Sequence, residues 1–420
     1  MTTTATEEVI RKAKRAKAAS ARLATMSRAQ KDEILLAMAD AIEAASSEIL
    51  EANRRDVETV QQKQSSAAPV DRLLLTQERI AETAEGLRTV ARLTDPVGEV
   101  LDGWRLPNGL EISKVRVPLG VVGIIYESRP NVTVDAAGLC FKAGNAVILR
   151  GGSDAINSNI ALVRILNEAG AKHGLPEGAI EIVETTDREA AGQLMRLTEY
   201  IDVLVPRGGH GLIRRVKEES RVPVIETGEG NCHVYVDATG DLDRAEEIVV
   251  NAKCQRPSVC NAAETLLVHR DVASQFLPKV GARLAAEGVE LRGCDETRRH
   301  ISDAKPAAEE DWATEFLSLI LAIKVVGGID EAIAHINRYG TSHSEAIITQ
   351  DLNNARRFTR EVDAAAVYVN ASTRFTDGGQ FGMGAEIGIS TQKLHARGPM
   401  GLPELTSYKF IIMGEGQVRP

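Results

Sequence analysis

From Gly120 onward, short apolar runs alternate with stretches of about 10–15 residues that have a helical pattern. The runs are apolar at successive positions, as in Gly120–Tyr126 (GVVGIIY) and Ala146–Leu149 (AVIL), so both faces of each strand are expected to be buried. Continuous apolar strands separated by helices indicate βαβ units and a parallel sheet. Because βαβ crossovers are right-handed, the pattern predicts a doubly wound α/β domain.

The alternation extends through two such domains. In the first, further strands are predicted at Ile180–Val183, Asp202–Val205 and Pro223–Ile225, with helices at Arg188–Leu197 and His210–Glu219. In the second, the predicted strands are His233–Val236, Glu264–Val268, Leu319–Val326, Ala346–Thr349 and Ala366–Val369. The predicted fold class is therefore α/β, with two doubly wound domains.

Before this alternation, the chain is predicted to be helical from residue 5 to about 90. Ile34, Leu35, Met38 and Ile42 recur at helical spacing, and Ser27 followed by Gln30 has the pattern of a capping box. The polar segment 61–69 is predicted to be a connection. Two strand-like runs then flank Asn108–Gly109, which predicts a β-hairpin.

The segment Ser407–Met413 is also strand-like, although no predicted strand lies near it in sequence. Its expected partner is the early hairpin or the sheet edge of another subunit. A small β-element for oligomerisation is therefore predicted beside the two α/β domains.

Composition excludes several classes of protein. Lys plus Arg number 50 and Asp plus Glu number 59, so the net charge of −9 argues against a nucleic-acid binder. No apolar run approaches the roughly 18 residues that a membrane-spanning helix requires. The charged N-terminal segment has no apolar core, and five cysteines in 420 residues do not suggest a disulfide framework. These features predict a cytoplasmic protein with reduced thiols.

Glycines follow two strands of the first domain, where open α/β sheets bind ligands. The segments are Arg150-Gly151-Gly152-Ser153 and Arg207-Gly208-Gly209, and each precedes a helix whose N-terminus can face a phosphate. Neither segment matches the dinucleotide fingerprint, and a tight βα turn explains either one alone. Two in one sheet, each with an arginine, favour an anionic cofactor.

Of the five cysteines, Cys260 has the position that best suits a nucleophile. It follows Arg256 and precedes a predicted strand near the start of the second domain, where a thiol between two domains would lie close to positive charge. Cys254 ends a predicted helix, where the helix dipole disfavours a thiolate. No second pair of Cys or His stands at ligand spacing, so no metal site is predicted.

Other candidates are Glu226, at the predicted end of the first domain, and the glycine-rich segment 370–384. Glu226 is either a turn carboxylate or a group that faces the ligand. The glycine-rich segment is either a surface loop or a backbone lining for a ligand, and Lys393 and Arg397 add positive charge near it.

The motifs QRPSVCNA around Cys260, IETGEG around Glu226, and Glu315-Phe316 ahead of a strand resemble the aldehyde dehydrogenase superfamily. Further matching segments are Tyr126–Asn131 (YESRPN), Ile148–Ser153 (ILRGGS), Val205–His210 (VPRGGH), Val326–Glu345 and Ile387–Pro399. The motifs run from about residue 120 to 405, and the N-terminal hundred residues fit only in being helical.

The resemblance implies reduction of an acyl phosphate to an aldehyde with NADP(H), and the specific substrate it implies is glutamyl 5-phosphate, in the second step of proline biosynthesis. Cys260 would match the nucleophile, Asn131 the oxyanion-hole amide and Glu315 the carboxylate that holds the nicotinamide ribose. Glu226 aligns with the general base of hydrolytic relatives. Arg256, Arg374, Lys393 and Arg397 are the expected cations for the substrate.

The resemblance also implies a domain organisation in which cofactor binding, catalysis and oligomerisation belong to different parts of the chain. The expected cofactor domain comprises residues 1–103 and 121–231, with 369–399 returning to it; residues 232–368 form the catalytic domain. Residues 104–120 and 400–420 form the oligomerisation hairpin and C-terminal strand. A homodimer or larger homo-oligomer is expected, with no nucleic-acid or membrane partner, and the sequence leaves open a transient contact with glutamate 5-kinase.

Two alternative functions are compatible with the sequence. One is a hydrolytic NAD(P)-dependent aldehyde dehydrogenase, with the same fold and nucleophile but an acid as product. The other is a non-catalytic nucleotide-binding module that regulates a partner. Phosphate dependence separates the first alternative from the main prediction, and sensitivity of turnover to thiol alkylation separates the second.

Overall fold

The computed structural model describes residues 2–63, 68–127 and 129–419. These residues form two units, each with its own parallel sheet. The first unit consists of Met1–Thr227, Met383–Gly388 and Met400–Pro420. The second consists of Gly228–Gly382 and Ile389–Pro399.

Helices dominate the first hundred residues, as predicted. The helices of the first unit are α1 (Thr2–Leu23), α2 (Arg28–Ala44), α3 (Ser46–Lys63), α4 (Ala68–Leu73), α5 (Gln77–Arg92), α6 (Pro130–Lys142), α7 (Ile156–Ala171), α8 (Arg188–Leu194) and α9 (His210–Glu219).

The capping box at the start of α2 is confirmed. The Ser27 N–H donates to Gln30 Oε1 at 3.0 Å, and Ser27 Oγ accepts the Gln30 N–H. The predicted apolar face of α2 is buried. The predicted connection 61–69 falls partly outside the described residues, because positions 64–67 are not among them; residues 61–63 complete α3 and α4 begins at Ala68.

The first six strands of the chain belong to the first unit. They are β1 (Val100–Arg105), β2 (Glu111–Pro118), β3 (Val121–Tyr126), β4 (Ala146–Arg150), β5 (Ile180–Ile182) and β6 (Val203–Arg207). Strands β3 to β6 form a parallel sheet in the order β5–β4–β3–β6. Since β4 and β6 lie on opposite sides of β3, the switch point of this doubly wound sheet is between β3 and β6.

The predicted strand Pro223–Ile225 is wrong. The structure has only a single bridge between Val224 and Leu204. The run has three residues, and Pro223 has no N–H to donate to a ladder, so the pairing does not extend.

The second unit contains a larger sheet with helices on both faces. Its helices are α10 (Leu242–Cys254), α11 (Arg270–Ala286), α12 (Asp295–His300), α13 (Ile329–Tyr339) and α14 (Leu352–Glu361). Its strands are β7 (Cys232–Val236), β8 (Ala263–His269), β9 (Glu290–Gly293), β10 (Lys305–Pro306), β11 (Ile320–Val326), β12 (Ser344–Ile348), β13 (Ala366–Val369), β14 (Ile389–Ser390) and β15 (Gly398–Pro399).

Strands β7 to β13 form a parallel sheet in the order β10–β9–β11–β8–β7–β12–β13. Alternate residues face two separate cores, with Leu266 in one and Leu267 in the other. Both faces are therefore buried, as the continuous apolar strands predicted. Strand β7 lies between β8 and β12, so the switch point is between β7 and β12.

The unit boundaries differ from the predicted domain boundaries in two places. Residues 369–399 were expected to return to the first domain, but only Met383–Gly388 does so. Strand β14 pairs with β15, and the Gly228 N–H donates to Ile389 O at 2.8 Å within the second unit. The first boundary falls after Thr227 rather than after Asn231. The assignment of cofactor binding and catalysis to the units stays a prediction.

The last strand, β16 (Thr406–Met413), pairs antiparallel with β2 and completes a three-stranded sheet in the order β1–β2–β16. The early hairpin is thus the partner of the C-terminal run. The turn is wider than the Asn-Gly pair alone, because Leu106 O accepts the Gly109 N–H at 2.9 Å. Gly109 has φ +89, whereas Asn108 has an ordinary φ. Trp104, Tyr408, Phe410 and Ile412 of this sheet are exposed.

Candidate active site

At the carboxyl edge of the first sheet, Arg150 ends β4 and fixes the neighbouring loop. Its guanidinium donates to the carbonyl oxygens of Gly151, Thr186 and Asp187 at 3.1–3.3 Å. A Cβ on Gly151 would lie 2.3 Å from Asn159 Nδ2, so this position has no room for a side chain. Gly152 then leads into the 3₁₀ turn Ser153–Ala155 ahead of α7. The predicted cofactor segment is therefore a tight turn with an arginine at its start.

The second glycine segment joins β6 to α9. A carboxylate already occupies the start of α9, because Glu127 Oε2 accepts the Gly209 N–H at 2.9 Å. A Cβ on Gly208 would lie 2.5 Å from the same oxygen, whereas one on Gly211 would meet nothing within 4 Å. The first turn of α9 therefore binds an anion, which in this structure is the Glu127 carboxylate. It also has open space beside Gly211.

Asn131 is exposed in the first turn of α6, where its Nδ2 donates to Asp135 Oδ2 at 3.2 Å. Burial raises the pKa of Asp135 to about 6, although Asn131 and the nearby Arg207 act in the opposite direction. Asp135, which the sequence did not single out, thus orients the Asn131 amide. Ser128 of the same motif lies outside the described residues.

Glu226 does not follow a strand, since the predicted strand before it is absent. Its Oε2 accepts a hydrogen bond from Lys217 Nζ at 3.0 Å. The Lys217 ammonium therefore engages one oxygen of the Glu226 carboxylate.

In the second unit, the predicted groups gather at the amino edge of the sheet. Cys260 lies in the turn that precedes β8, and it is half-buried. Gly230 precedes β7, and a Cβ there would lie 1.4 Å from the carbonyl oxygen of Cys260. Cys232 Sγ donates to the same oxygen at 3.2 Å. The backbone of the predicted nucleophile is therefore held on two sides by residues of the β7 segment.

Burial, together with the negative charge of Glu345, raises the pKa of Cys232 well above its usual range. Cys232 is thus a neutral thiol and can act as the donor in its contact with Cys260. Cys254 ends α10, as predicted, and burial also raises the pKa of its thiol.

Glu315, which precedes β11, contacts the same segment. Its Oε1 accepts the Gly230 N–H at 2.7 Å. Gly230 therefore links the carboxylate predicted to bind ribose with the predicted nucleophile. This arrangement requires glycine, because any side chain at position 230 would displace Cys260.

Two of the four predicted substrate cations lie near Cys260. Arg374 donates from Nε and a terminal nitrogen to Gln255 Oε1 at 2.9 and 2.7 Å. Burial and the charge of Arg256 lower the pKa of Arg374, while Cys260 acts in the opposite direction. Arg256 and Arg374 thus form a positive region beside the thiol.

The other two predicted cations are engaged elsewhere in the second unit. Lys393 Nζ lies 2.6 Å from one Asp363 oxygen, and an Arg397 nitrogen lies 2.8 Å from the other. One carboxylate therefore offsets part of their positive charge. Their role in substrate binding stays a prediction, and this ion pairing weakens it.

The carboxyl edge of the first sheet fits an anionic dinucleotide. Arg150 Nε is buried and has no hydrogen-bond partner among the described residues, and α9 starts with open space at Gly211. A phosphate could use the Gly209 N–H once Glu127 had moved. Within the described residues there is no group of three or more His, Cys, Asp or Glu side chains arranged to hold a metal ion. Nor, among those residues, is any helix long and apolar enough to cross a membrane.

Comparison with known protein families shows which family this chain belongs to. The model of the aldehyde dehydrogenase family matches residues 1–295 and 302–410. The chain belongs to the aldehyde dehydrogenase family. Membership confirms the resemblance drawn from Cys260, Glu226 and Glu315, and it implies a nicotinamide cofactor, NAD(P), and a small-molecule substrate.

Several proteins with high sequence identity to this chain are named gamma-glutamyl phosphate reductase. The chain is 62% identical to gamma-glutamyl phosphate reductase of Carboxydothermus hydrogenoformans over 98% of this chain and 100% of that one. Identity to the enzyme of that name from Heliobacterium modesticaldum is also 62%, covering 98% and 99%. The crystal structure of gamma-glutamyl phosphate reductase from Thermotoga maritima matches with a TM-score of 0.97 at 52% identity, covering 98% and 100%.

Sequence reasoning missed three residues that the structure brings to the amino edge. Gly230 and Cys232 contact Cys260 across about 30 positions of sequence, and Glu264 lies in the strand after it. The residues next to Cys232 in sequence suggest no role for it, because its partners are distant along the chain. The one available signal was that Gly230 lies within the IETGEG motif.

Proposed function

We propose that this chain reduces L-glutamyl 5-phosphate to L-glutamate 5-semialdehyde and phosphate with NADPH, the second step of proline biosynthesis from glutamate. One observation supports this activity above all: 62% identity, over 98% of the chain, to a protein named for the reaction. The match spans the glycine turns of the first unit as well as the thiol segment of the second.

In the proposed mechanism, the Cys260 thiolate attacks the γ-carbonyl carbon of the substrate and forms a carbon–sulfur bond. Backbone N–H groups and the Asn131 amide stabilise the oxyanion. The carbon–oxygen bond to phosphate then breaks, and its electron pair leaves with inorganic phosphate. A thioester remains on Cys260.

When bound, NADPH supplies a hydride that reduces the thioester carbon by two electrons. The residues proposed to hold it are Arg150 to Ser153, Arg207 to Gly209, and Glu315 at the ribose. The resulting thiohemiacetal on Cys260 expels the thiolate and releases the semialdehyde. The free α-amine then closes on the aldehyde without a catalyst, because a five-membered ring brings the groups together.

Positive charge near the thiol suits the phosphate group of the substrate. We assign this role to Arg256 and Arg374, and a smaller contribution to Lys393 and Arg397, which share Asp363. A charge-assisted hydrogen bond from a guanidinium to phosphate is among the stronger polar contacts in proteins. In the reverse direction the same cations would hold phosphate for attack on the thioester.

The hydrolytic alternative needs a carboxylate base that activates water. Glu226 is the candidate base, and one of its oxygens is already hydrogen-bonded to Lys217. The geometry therefore favours release of the acyl group to phosphate rather than to water.

The three-stranded sheet supports a homodimer or larger homo-oligomer. Tyr408, Phe410, Ile412 and Met413 are each about half exposed or more on β16, and an apolar edge strand of this kind pairs readily with another chain. We expect a chain cut before Ser407 to lose oligomer or solubility in sedimentation velocity. A soluble, active and unchanged species would contradict this. A transient contact with glutamate 5-kinase stays a prediction.

The activity is tested by following cofactor oxidation and reduction with three proteins: unmodified, Cys260→Ala and Cys254→Ala. The unmodified chain and Cys254→Ala should turn over alike, and Cys260→Ala should lose at least about 10³-fold while NADPH still binds. Turnover by Cys260→Ala at the unmodified rate would overturn the assignment of the nucleophile. Absence of turnover in all three proteins would overturn the proposed function.

A further inference from the structure

The second unit buries an ion pair that the proposed mechanism does not use. Lys253 Nζ, at the end of α10, lies 2.5 Å from Glu264 Oε2 in β8, and both side chains are fully buried. Removing two charges from water is costly, and their attraction offsets that cost only in favourable geometry. A buried pair is therefore weak evidence for a role in stability, so the question is what else these charges hold in place.

The second oxygen of Glu264 binds the backbone ahead of β11. Glu264 Oε1 accepts the Leu317 N–H at 3.1 Å. Leu317 has φ +51, a left-handed conformation that residues with a Cβ rarely adopt. The Leu317 side chain is 39% exposed, so its own packing does not account for this conformation. The buried Glu264 carboxylate is the hydrogen-bond acceptor for the backbone at this position.

Leu317 is two residues from Glu315, whose Oε1 accepts the Gly230 N–H at 2.7 Å. Gly230 in turn lies against the Cys260 carbonyl, with no room for a Cβ. Burial raises the pKa of Glu264, and the negative charge of Glu315 acts in the same direction, whereas Lys253 opposes it. The two carboxylates are thus close enough to influence each other. A continuous set of contacts joins the buried pair to the proposed ribose ligand.

We infer that Lys253 and Glu264 are positioning residues: they hold Leu317 in its left-handed conformation and so place the Glu315 carboxylate for the cofactor ribose. The inference rests on the proposed function, in which Glu315 binds that ribose. Without the pair, Leu317 would relax to an ordinary φ and Glu315 would move away from Gly230. Affinity for the cofactor would then fall more than the rate of the bound complex.

The test is a fluorescence titration of NADPH, which gives a Kd without turnover, together with KM and kcat. In Lys253→Met/Glu264→Leu both charges are removed together, so neither is left unpaired, but the acceptor for Leu317 is lost. We expect the Kd and KM for NADPH to rise about tenfold, with a smaller change in kcat. Lys253→Met/Glu264→Gln keeps an amide oxygen for Leu317 and should recover most of the affinity.

Leu317→Pro provides a second variant that leaves the buried pair intact. Proline lacks the N–H and fixes φ near −65°, so it removes the same contact at a partly exposed site. We expect about the same loss of NADPH affinity as in the double variant. If Leu317→Pro folds and binds NADPH like the unmodified chain, the inference is wrong, whether or not the double variant folds.

A matched control is the buried pair of Lys31 with Asp95 in the first unit, where Nζ lies 2.8 Å from Oδ2. Lys31→Met/Asp95→Leu removes an ion pair of similar burial and should leave the NADPH Kd unchanged. An equal loss in this control would indicate a general effect of buried charges and contradict the inference.

The variant Glu315→Gln, measured in the same titration, shows whether the proposed ribose role of Glu315 is wrong or only the positioning role of the buried pair. Unchanged affinity in Glu315→Gln would overturn the proposed ribose role of Glu315. Weaker binding in Glu315→Gln, with unchanged binding in both Leu317→Pro and Lys253→Met/Glu264→Leu, would overturn only the positioning role of the buried pair.

Discussion

The two parallel sheets have the same winding but use opposite edges. In the first unit, the predicted cofactor residues follow β4 and β6, at the carboxyl edge beside the switch point. In the second unit, Gly230, Cys260 and Glu315 precede β7, β8 and β11, at the amino edge. At the carboxyl edge of the second sheet, Asp237 follows β7 and accepts hydrogen bonds from Tyr235, Thr349 and Asn354.

The two sheets use opposite edges because each edge offers different groups for binding. At a carboxyl edge, tight glycine turns lead into helix N-termini, and backbone N–H groups bind an anion without help from side chains. An amino edge receives no helix N-termini from its βα turns. The second unit instead holds its thiol segment from β7, where Cys232 Sγ donates to the Cys260 carbonyl oxygen and Gly230 lies against it. The first edge suits a cofactor phosphate, and the second suits a nucleophile that must be placed accurately.

Among variants that keep the Cys260 thiol, the largest expected effect comes from adding one methyl group at the amino edge. Gly230→Ala places a Cβ 1.4 Å from the Cys260 carbonyl oxygen, so the nucleophile must shift. A displacement of about 1 Å costs on the order of 10²-fold in rate, which we expect in kcat/KM. Gly328→Ala, whose Cβ would meet nothing closer than 3.8 Å, is the control in the same unit. Equal activity of the two variants would contradict the accurate placement proposed here.

A smaller effect is expected from the cations near the thiol. Arg374→Ala should raise the KM for phosphate in the oxidative direction by about 10–100-fold, the usual value of a charge-assisted hydrogen bond. Arg397→Ala should change it less than about threefold, because Asp363 already binds that guanidinium. Steady-state kinetics at varied phosphate compare the two. Equal losses would restore Arg397 to the phosphate site as the sequence predicted.

At the carboxyl edge, Arg150→Ala tests the preference for NADPH. Losing its charge should raise the Kd for NADPH about tenfold and leave the Kd for NADH nearly unchanged, because only NADPH carries the 2′-phosphate. Titration of both cofactors measures this. An unmodified chain that binds NADH as tightly as NADPH would remove the basis for this role of Arg150.

Asp135→Asn should change activity least, because the new side chain still has an oxygen that accepts the Asn131 hydrogen bond. Its main expected effect is on stability. Burial raises the pKa of Asp135 to about 6, so the native state disfavours its charge. This penalty is absent below about pH 3, where both states are protonated, develops between about pH 4 and pH 6 and is constant above. Asp135→Asn should therefore raise the free energy of unfolding by about 1 kcal/mol at pH 8 and by nothing near pH 3. Denaturant unfolding of both proteins at the two pH values measures the difference in their free energy of unfolding and shows whether Asp135→Asn is stabilising, as expected, or destabilising.

The sequence predicted most of the fold because its signals are local. The capping box at Ser27 and Gln30, helix α9 and strand β13 are observed as predicted. Strand β9 was missed because Glu290–Gly293 alternates polar and apolar residues at the side of the sheet, and β10 has only two residues. The isolated apolar run at Pro223–Ile225 did not become a strand, since strand formation depends on partners that composition does not reveal.

The site was less predictable for the same reason. Cys260 was found because it precedes a strand and lies in a recognisable motif. The contacts of Gly230 with Cys260, of Glu264 with Leu317, and of Lys393 with Asp363 join positions 30 or more apart. Nothing in the local sequence specifies such contacts. The packing of β7, β8 and β11 side by side brings the first two pairs together, whereas Asp363 and Lys393 lie outside these strands.

The central claim is that a Cys260 thioester exchanges its acyl group with phosphate. The most direct test is the rate of NADP⁺ reduction by glutamate 5-semialdehyde with and without phosphate, with the product identified. We predict that oxidation requires phosphate, that arsenate substitutes for it, and that Glu226→Gln slows the reaction less than Cys260→Ala does. Oxidation to glutamate at a comparable rate without phosphate would contradict the account and place the chain among the hydrolytic aldehyde dehydrogenases.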